Sequence, residues 1–244
     1  AGRRGIPSPC RPRGGCLSGG GRRGQALRVT FWGVRGSITT PEPEYSRYGG
    51  NTPCVAVLLS DGSGIILDAG MPLFDRERQA VDTNQLRSAT SESLLQSGWI
   101  PPVPGLFTPG PEVDAILISH AHEDHTGLIS RTHPTIPIFT SRGTSKMMLA
   151  GFLFARQPSL PRERYREIQY HVPVQIGDFE VTGIPVDHSI FGSMAFLIRG
   201  EGKTILYSGN ALPFDRDRPK TIGGCPPDGR DSRREPGIQR CHRI

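Results

Sequence analysis

Apolar residues in this chain come in short runs that stop abruptly at polar, chemically capable side chains. Residues 27–32 (Leu-Arg-Val-Thr-Phe-Trp) alternate apolar and polar positions, the period-two pattern of a half-buried strand. Residues 54–59 predict a second strand, Asp61-Gly62-Ser63-Gly64 a hairpin turn, and Ile65-Ile66-Leu67 the returning strand, which runs into Asp68-Ala69-Gly70. Residues 113–119 are almost wholly apolar, as in a strand buried on both faces, and deliver His120-Ala121-His122-Glu123-Asp124-His125 at their carboxyl end. Residues 179–186 end in Asp187-His188-Ser189. Residues 194–199 and 203–207 predict a hairpin across Gly200-Glu201-Gly202, and its second strand ends in Tyr207-Ser208-Gly209-Asn210.

Helical patterning is sparser. Residues 77–97 are polar and weakly helical, with Val81, Leu86, Leu94 and Leu95 as large aliphatics. Residues 141–156 predict the best helix, capped by Ser141 or Thr144, with Met147, Met148, Phe152 and Phe154 turned to the core. Residues 135–140 predict a strand that Pro137 makes short or confines to an edge. A Pro/Gly-rich loop over 101–111 follows Trp99 and carries Phe107, aromatics expected to cover the edge of the core. Residues 162–167 are a charged connection. Strands, one good helix and strands again predict an α/β fold of two packed sheets with helices outside.

Composition separates a body from two ends. Of 244 residues, 31 are glycine and 23 proline, against 35% hydrophobic residues, and the excess is not evenly spread. Residues 1–26 hold six arginines and no acidic residue; residues 219–244 hold six basic and three acidic residues. Neither end buries enough apolar surface to offset the entropy of ordering it, so both are expected to be disordered. The remaining 17 basic and 20 acidic residues fall in 27–218, the expected folded domain. The overall charge of +6 therefore belongs to the ends and implies no basic face on the body.

Four of the five cysteines lie in the ends and only Cys54 in the body, which argues against a disulfide scaffold. No run of apolar residues is long enough to span a membrane, and the arginine-rich start has no apolar core of a secretory signal. No membrane partner is expected, and a reducing cytoplasm is the expected compartment.

The candidate chemistry is concentrated in one place. Three of seven histidines fall within six residues, beside two carboxylates, and these are the usual ligands of zinc and similar ions. His120 and His122 alternate, so an extended turn points both the same way; Asp124 and His125 follow on the next bend. His188 ends a strong strand, whereas His133 sits in a proline-flanked loop, His171 at the edge of an apolar segment and His242 in the tail.

His120-Ala121-His122-Glu123-Asp124-His125 resembles the HxHxDH motif of the metallo-β-lactamase superfamily. Leu67-Asp68-Ala69-Gly70 resembles the strand-end DxG before it, Val186-Asp187-His188-Ser189 the third-histidine motif, and Ser208-Gly209-Asn210 the SGD that follows. Within the superfamily, the chain is most similar to the ribonuclease J branch, which carries an inserted β-CASP domain. The resemblance implies an αββα sandwich of two packed sheets with one or two zinc ions, or manganese, at its edge. It places His120, His122 and His188 on the first ion and Asp124 and His125 on the second. The nucleophile is then a water acidified by the ions, with Asp124 as proton acceptor and Asp68 orienting a ligand histidine.

Two departures from that pattern stand out. Asn210 occupies the place of the aspartate that bridges both ions, so it is expected to be a weak ligand and to lower second-ion affinity and activity. The family's last ligand histidine and the bulk of a β-CASP domain would fall beyond position 210, where this chain turns to Gly, Pro and Arg; the C-terminal part is expected to be incomplete. Three readings follow: a zinc-dependent hydrolase of phosphodiesters such as RNA, a hydrolase of a small ester or cyclic nucleotide, and an impaired metal-binding protein.

Overall fold

A computed structural model describes residues 27–33, 53–72, 80–110, 112–210 and 239–240. The first sheet has six strands in chain order: β1 (Arg28–Gly33), β2 (Cys54–Leu58), β3 (Gly64–Leu67), β4 (Ala115–Leu117), β5 (Ile138–Thr140) and β6 (Tyr165–Glu167). The pairs β1–β2 and β2–β3 are antiparallel, and from β3 onward every pair is parallel. The second sheet comprises β7 (Pro173–Ile176), β8 (Phe179–Pro185), β9 (Met194–Gly200) and β10 (Lys203–Tyr207), all antiparallel. A two-residue strand, β11 (Gln239–Arg240), pairs parallel to β10. It falls inside a segment expected to be disordered; the other residues of that segment, like residues 1–26, lie outside the described residues.

Strand periodicity divides the core in two. Val55, Val57, Ile65, Leu67, Ala115 and Leu117 face the second sheet and pack with Phe179, Val181, Phe196 and Ile198. Their neighbours Ala56, Ile66, Ile116 and Ile118 face the other way, onto Leu86, Leu94 and Met148 of the helices. Both faces of the first sheet are therefore covered, which is why its central strands read as unbroken apolar runs. Each fully buried Ile or Leu contributes about 1.5–3 kcal/mol of transfer free energy. Cys54 belongs to this interior, and burial pushes its thiol well above the usual range, as for a core residue.

The weakly helical stretch resolves into α1 (Thr83–Ser88) and α2 (Ser91–Ser97). Asp82 caps the first by accepting from Asn84 N at 2.8 Å, and Thr90 caps the second by accepting from Ser93 N at 3.2 Å. Gly98, in the left-handed region, ends α2. Phe107 is buried in the core between the first sheet and the helices, and Trp99 packs against that core, as expected of aromatics covering its edge.

Strand β5 is short, one of the two outcomes expected from Pro137, and it lies between β4 and β6, because Pro137 stands just before it and leaves the ladder intact. Two expectations need correction. The charged connection forms β6, whose backbone pairs with β5 while Arg164 is buried, its guanidinium donating to Ile136 O and Thr132 Oγ1, both at 2.7 Å. The helix α4 (Arg142–Ala155) is present with Ser141 as its cap, but Phe152 and Phe154 are not core: they are 48% and 87% exposed. Only the Thr144 and Met148 side of α4 is buried. Phe152 instead lines a cavity of about 280 Å³ with Met71, Gly127 and Arg131.

Candidate metal centre

Strands β3, β4 and β5 run parallel, so their carboxyl ends meet at one edge of the first sheet, the usual location of sites in such sheets. Asp68 follows β3, Ser119 and His120 follow β4, and Ser141 follows β5. The backbone of Asp68 is left-handed (φ 59°), and its amide donates to Leu117 O at 2.9 Å. The left-handed region is uncommon for a residue with a Cβ and is tolerated best by Asp and Asn. This turn brings the carboxylate into the interior, where it is fully buried.

Four donors hold that carboxylate. Ser119 N donates to Oδ1 at 2.7 Å; Ser119 Oγ, His125 Nδ1 and Tyr207 OH all reach Oδ2, at 2.8, 2.6 and 2.6 Å. Burial alone would raise Asp68, but the adjoining His125 and these donors outweigh it and hold its carboxyl below the usual value. Burial would likewise lower His125, and the Asp68 charge instead holds it above the ordinary histidine value. The same carboxylate raises the Tyr207 phenol, after burial, well above its usual range.

After Ser119 the chain turns through His120 and His122 into a single helical turn, α3 (Glu123–Thr126), in which the His125 and Thr126 amides donate to His122 O. The strand-end segment after Asp68 lies against this turn: Ala69 N donates to His125 O at 2.9 Å and Met71 N to Glu123 O at 3.1 Å. Between them Gly70 is so close that a Cβ there would stand 1.5 Å from Asp124 O. A side chain cannot be accommodated without moving the backbone that carries Asp124.

The second sheet contributes the rest. His188 follows β8, and its Nε2 lies 3.2 Å from His122 Nδ1. Asn210 follows β10, and its amide lies 3.0 Å from His125 Nε2. His120 is central: its ring centroid is 4.8 Å from that of His122, 3.9 Å from His125 and 4.5 Å from His188. Two sets emerge in which candidate ligand atoms all lie within 4.8 Å of one another: His120, His122 and His188, and His120, Asp124 and His125.

The donor atoms fit a divalent cation. His120 Nδ1 bonds Ser119 Oγ at 2.9 Å, leaving Nε2, which is buried without a hydrogen-bond partner; Asp124 Oδ2 is buried in the same condition. Such atoms are costly unless something binds them. Burial, then the charge of His125, hold His120 down to about 2, and burial also lowers His122 and His188. These imidazoles therefore present lone pairs near neutral pH. His122 and His188 are only partly buried, so the set opens to solvent on their side.

Each residue singled out from the sequence lies in this cluster: Asp68, His120, His122, Asp124, His125, His188 and Asn210. His133 and His171 lie elsewhere; His133 bonds Thr135 Oγ1 at 2.9 Å. Sequence reasoning missed Ser119 and Tyr207. Ser119 closes an apolar run and Tyr207 opens a quoted strand end, but neither is a metal-ligand type, and their shared partner is 51 and 139 residues away.

A family model described as the beta-lactamase superfamily domain matches residues 65–226. Among curated proteins, ribonuclease J of Mycolicibacterium smegmatis is 32% identical over 120 residues, covering 46% of this chain and 21% of that protein. Ribonuclease J of Helicobacter pylori is 26% identical over 175 residues, covering 70% of this chain and 22% of that protein. The chain thus spans about a fifth of the length of these relatives. A solved structure of a protein of unknown function from Enterococcus faecalis V583 shares the fold, with a TM-score of 0.57 at 24% identity over 77% of this chain and 44% of that one.

Proposed function

The chain belongs to the β-lactamase superfamily and has its αββα sandwich fold, and from that premise we propose that it is a zinc-dependent hydrolase of phosphodiester bonds, with RNA as substrate. One observation carries the proposal: two ligand sets share His120, and both His120 Nε2 and Asp124 Oδ2 are buried without a hydrogen-bond partner. In this reading residues 27–218 form the hydrolase domain. His120, His122 and His188 would hold one zinc ion; Asp124 and His125 would hold a second, for which Asn210 would be a poor ligand. Manganese is an alternative occupant of the same oxygen and nitrogen set.

Bound zinc lowers the pKa of a water to near neutrality and stabilises charge on a phosphoryl oxygen. The protein's own groups do the rest. Asp68 fixes the His125 tautomer by accepting from Nδ1, which leaves Nε2 as the donor atom. Ser119 does the same for His120 by engaging its Nδ1. Asp124 Oδ2 is the group placed to accept a proton. RNA as substrate rests on the ribonuclease J relatives. Cytoplasmic location belongs to the same proposal; no helix among the described residues is long and apolar enough to cross a membrane.

Asn210 favours a second reading, an impaired metal-binding protein, because its neutral amide sits 3.0 Å from His125 Nε2 where a charged bridge would assist the second ion. Turnover of bis-p-nitrophenyl phosphate, with and without chelator, separates the two. Chelator-sensitive hydrolysis supports the enzyme; its absence in protein with zinc demonstrably bound supports the second reading. Competition by RNA but not by mononucleotides separates an RNA substrate from a small ester or cyclic nucleotide.

A further inference from the structure

Phe191 lies three residues beyond His188, on the loop that joins β8 to β9. That loop is held firmly. Ser141 Oγ and Thr144 Oγ1 both donate to Gly192 O, at 2.6 and 2.9 Å, and Ser193 Oγ donates to Ile190 O at 2.8 Å. Ile190 packs against the core between the first sheet and the helices. Gly192 has a left-handed backbone (φ 91°), and Gly143 has no side chain to obstruct it: a Cβ there would stand 2.6 Å from Gly192 Cα and 3.0 Å from the Phe191 ring. The Phe191 ring therefore rests along one edge on the first turn of α4, yet it is 66% exposed.

A single exposed ring is ordinary on a protein surface; what sets Phe191 apart is where its anchored loop displays it. Of the large apolar side chains exposed among the described residues, Phe191 is the one on a loop carrying a candidate ligand. Its position on the molecule is also informative. The first turn of α4 follows β5, which runs parallel to β4 in register, Leu117 opposite Phe139. Ser141 and His120 thus leave the same sheet edge, and Phe191 stands at that edge beside the candidate metal centre. Arg142, exposed and next to Gly143, adds a positive charge there.

We propose that Phe191 is a substrate-positioning residue, a platform on which a nucleobase adjoining the scissile phosphodiester stacks. This rests on the phosphodiesterase reading and narrows it to substrates that carry a base next to the cleaved bond. Every nucleobase has a π-face, so one ring gives affinity without base identity, while the backbone phosphates are drawn by charge.

The test is binding of a short fluorescein-labelled single-stranded oligoribonucleotide to zinc-loaded protein, followed by anisotropy, beside the same oligonucleotide made abasic. Phe191→Ala is expected to weaken the base-bearing ligand about tenfold, within the range for loss of one aromatic–base stack, and to leave the abasic ligand unchanged. Phe191→Trp is expected to restore affinity, with zinc content equal in all three proteins. Equal affinity of wild type and Phe191→Ala for the base-bearing ligand overturns the proposal. So does an equal loss on both ligands, which would signify a structural or purely electrostatic effect. No binding of the oligonucleotide by wild type also overturns it, even where bis-p-nitrophenyl phosphate is cleaved and the hydrolase reading stands. Base-dependent binding without chelator-sensitive cleavage supports the platform and removes the hydrolase reading.

Discussion

His125 and Tyr207 converge on a single atom, Asp68 Oδ2, each at 2.6 Å, one from the first sheet's histidine turn and one from the end of β10 in the second. Asp68 is therefore both a tether for a candidate ligand and a fastening between sheets. Asp68→Asn keeps the shape but removes the charge, and it is expected to lower zinc affinity by about 10–100-fold. Competition with a chromophoric chelator measures this; unchanged affinity would remove Asp68 from its orienting role.

Tyr207→Phe removes one of four donors and leaves the carboxylate solvated by the other three. The expected loss is about 1–2 kcal/mol in urea unfolding, with zinc content unchanged. A loss of bound zinc instead would mean that the phenol positions the ligands themselves.

Gly70→Ala places a methyl group where Asp124 O now lies, so the turn bearing Asp124 and His125 must shift. We expect little change in secondary structure by circular dichroism but loss of the more weakly held zinc ion. Normal zinc content in this variant would show that the turn can give way without harm.

The metal-free protein is expected to lose stability as pH falls from about 7 to about 4. His120, His122 and His188 have lowered values, His120 to about 2 against an ordinary 6.5, so the unfolded chain takes up protons in this window that the folded chain refuses. His125 acts in the opposite sense: its raised value adds stability below 6.5 that is lost as pH rises through the folded value. Asp68, lowered, adds stability above 3.8 that disappears only at still lower pH. Three histidines outweigh one. Urea midpoints in chelator check the sign, and a midpoint that rises on acidification would refute it.

Most of the site was legible because its residues stand where apolar runs end. The turn at Asp68, the cluster after Ile118, and the ends of β8 and β10 are visible as strand pattern giving way to chemistry. What could not be read is what depends on distant pairing. Tyr207 and Ser119 become significant only through a carboxylate far off in the chain. The segment around Arg164 looked like no more than a charged connection because its charge concealed a backbone that completes the ladder beside β5. Phe152 and Phe154 looked like core because a helix rich in apolar residues does not show from its own sequence how much of its circumference the sheet will cover.

Because His122 hangs from the first sheet and His188 from the second, with their ring nitrogens 3.2 Å apart, the set of His120, His122 and His188 is complete only when both sheets contribute. An ion bound there is a clasp drawn shut across the seam of the sandwich. Occupancy then reports closure: any perturbation that slides one sheet against the other, however remote from the histidines, should be read out first as escaping metal.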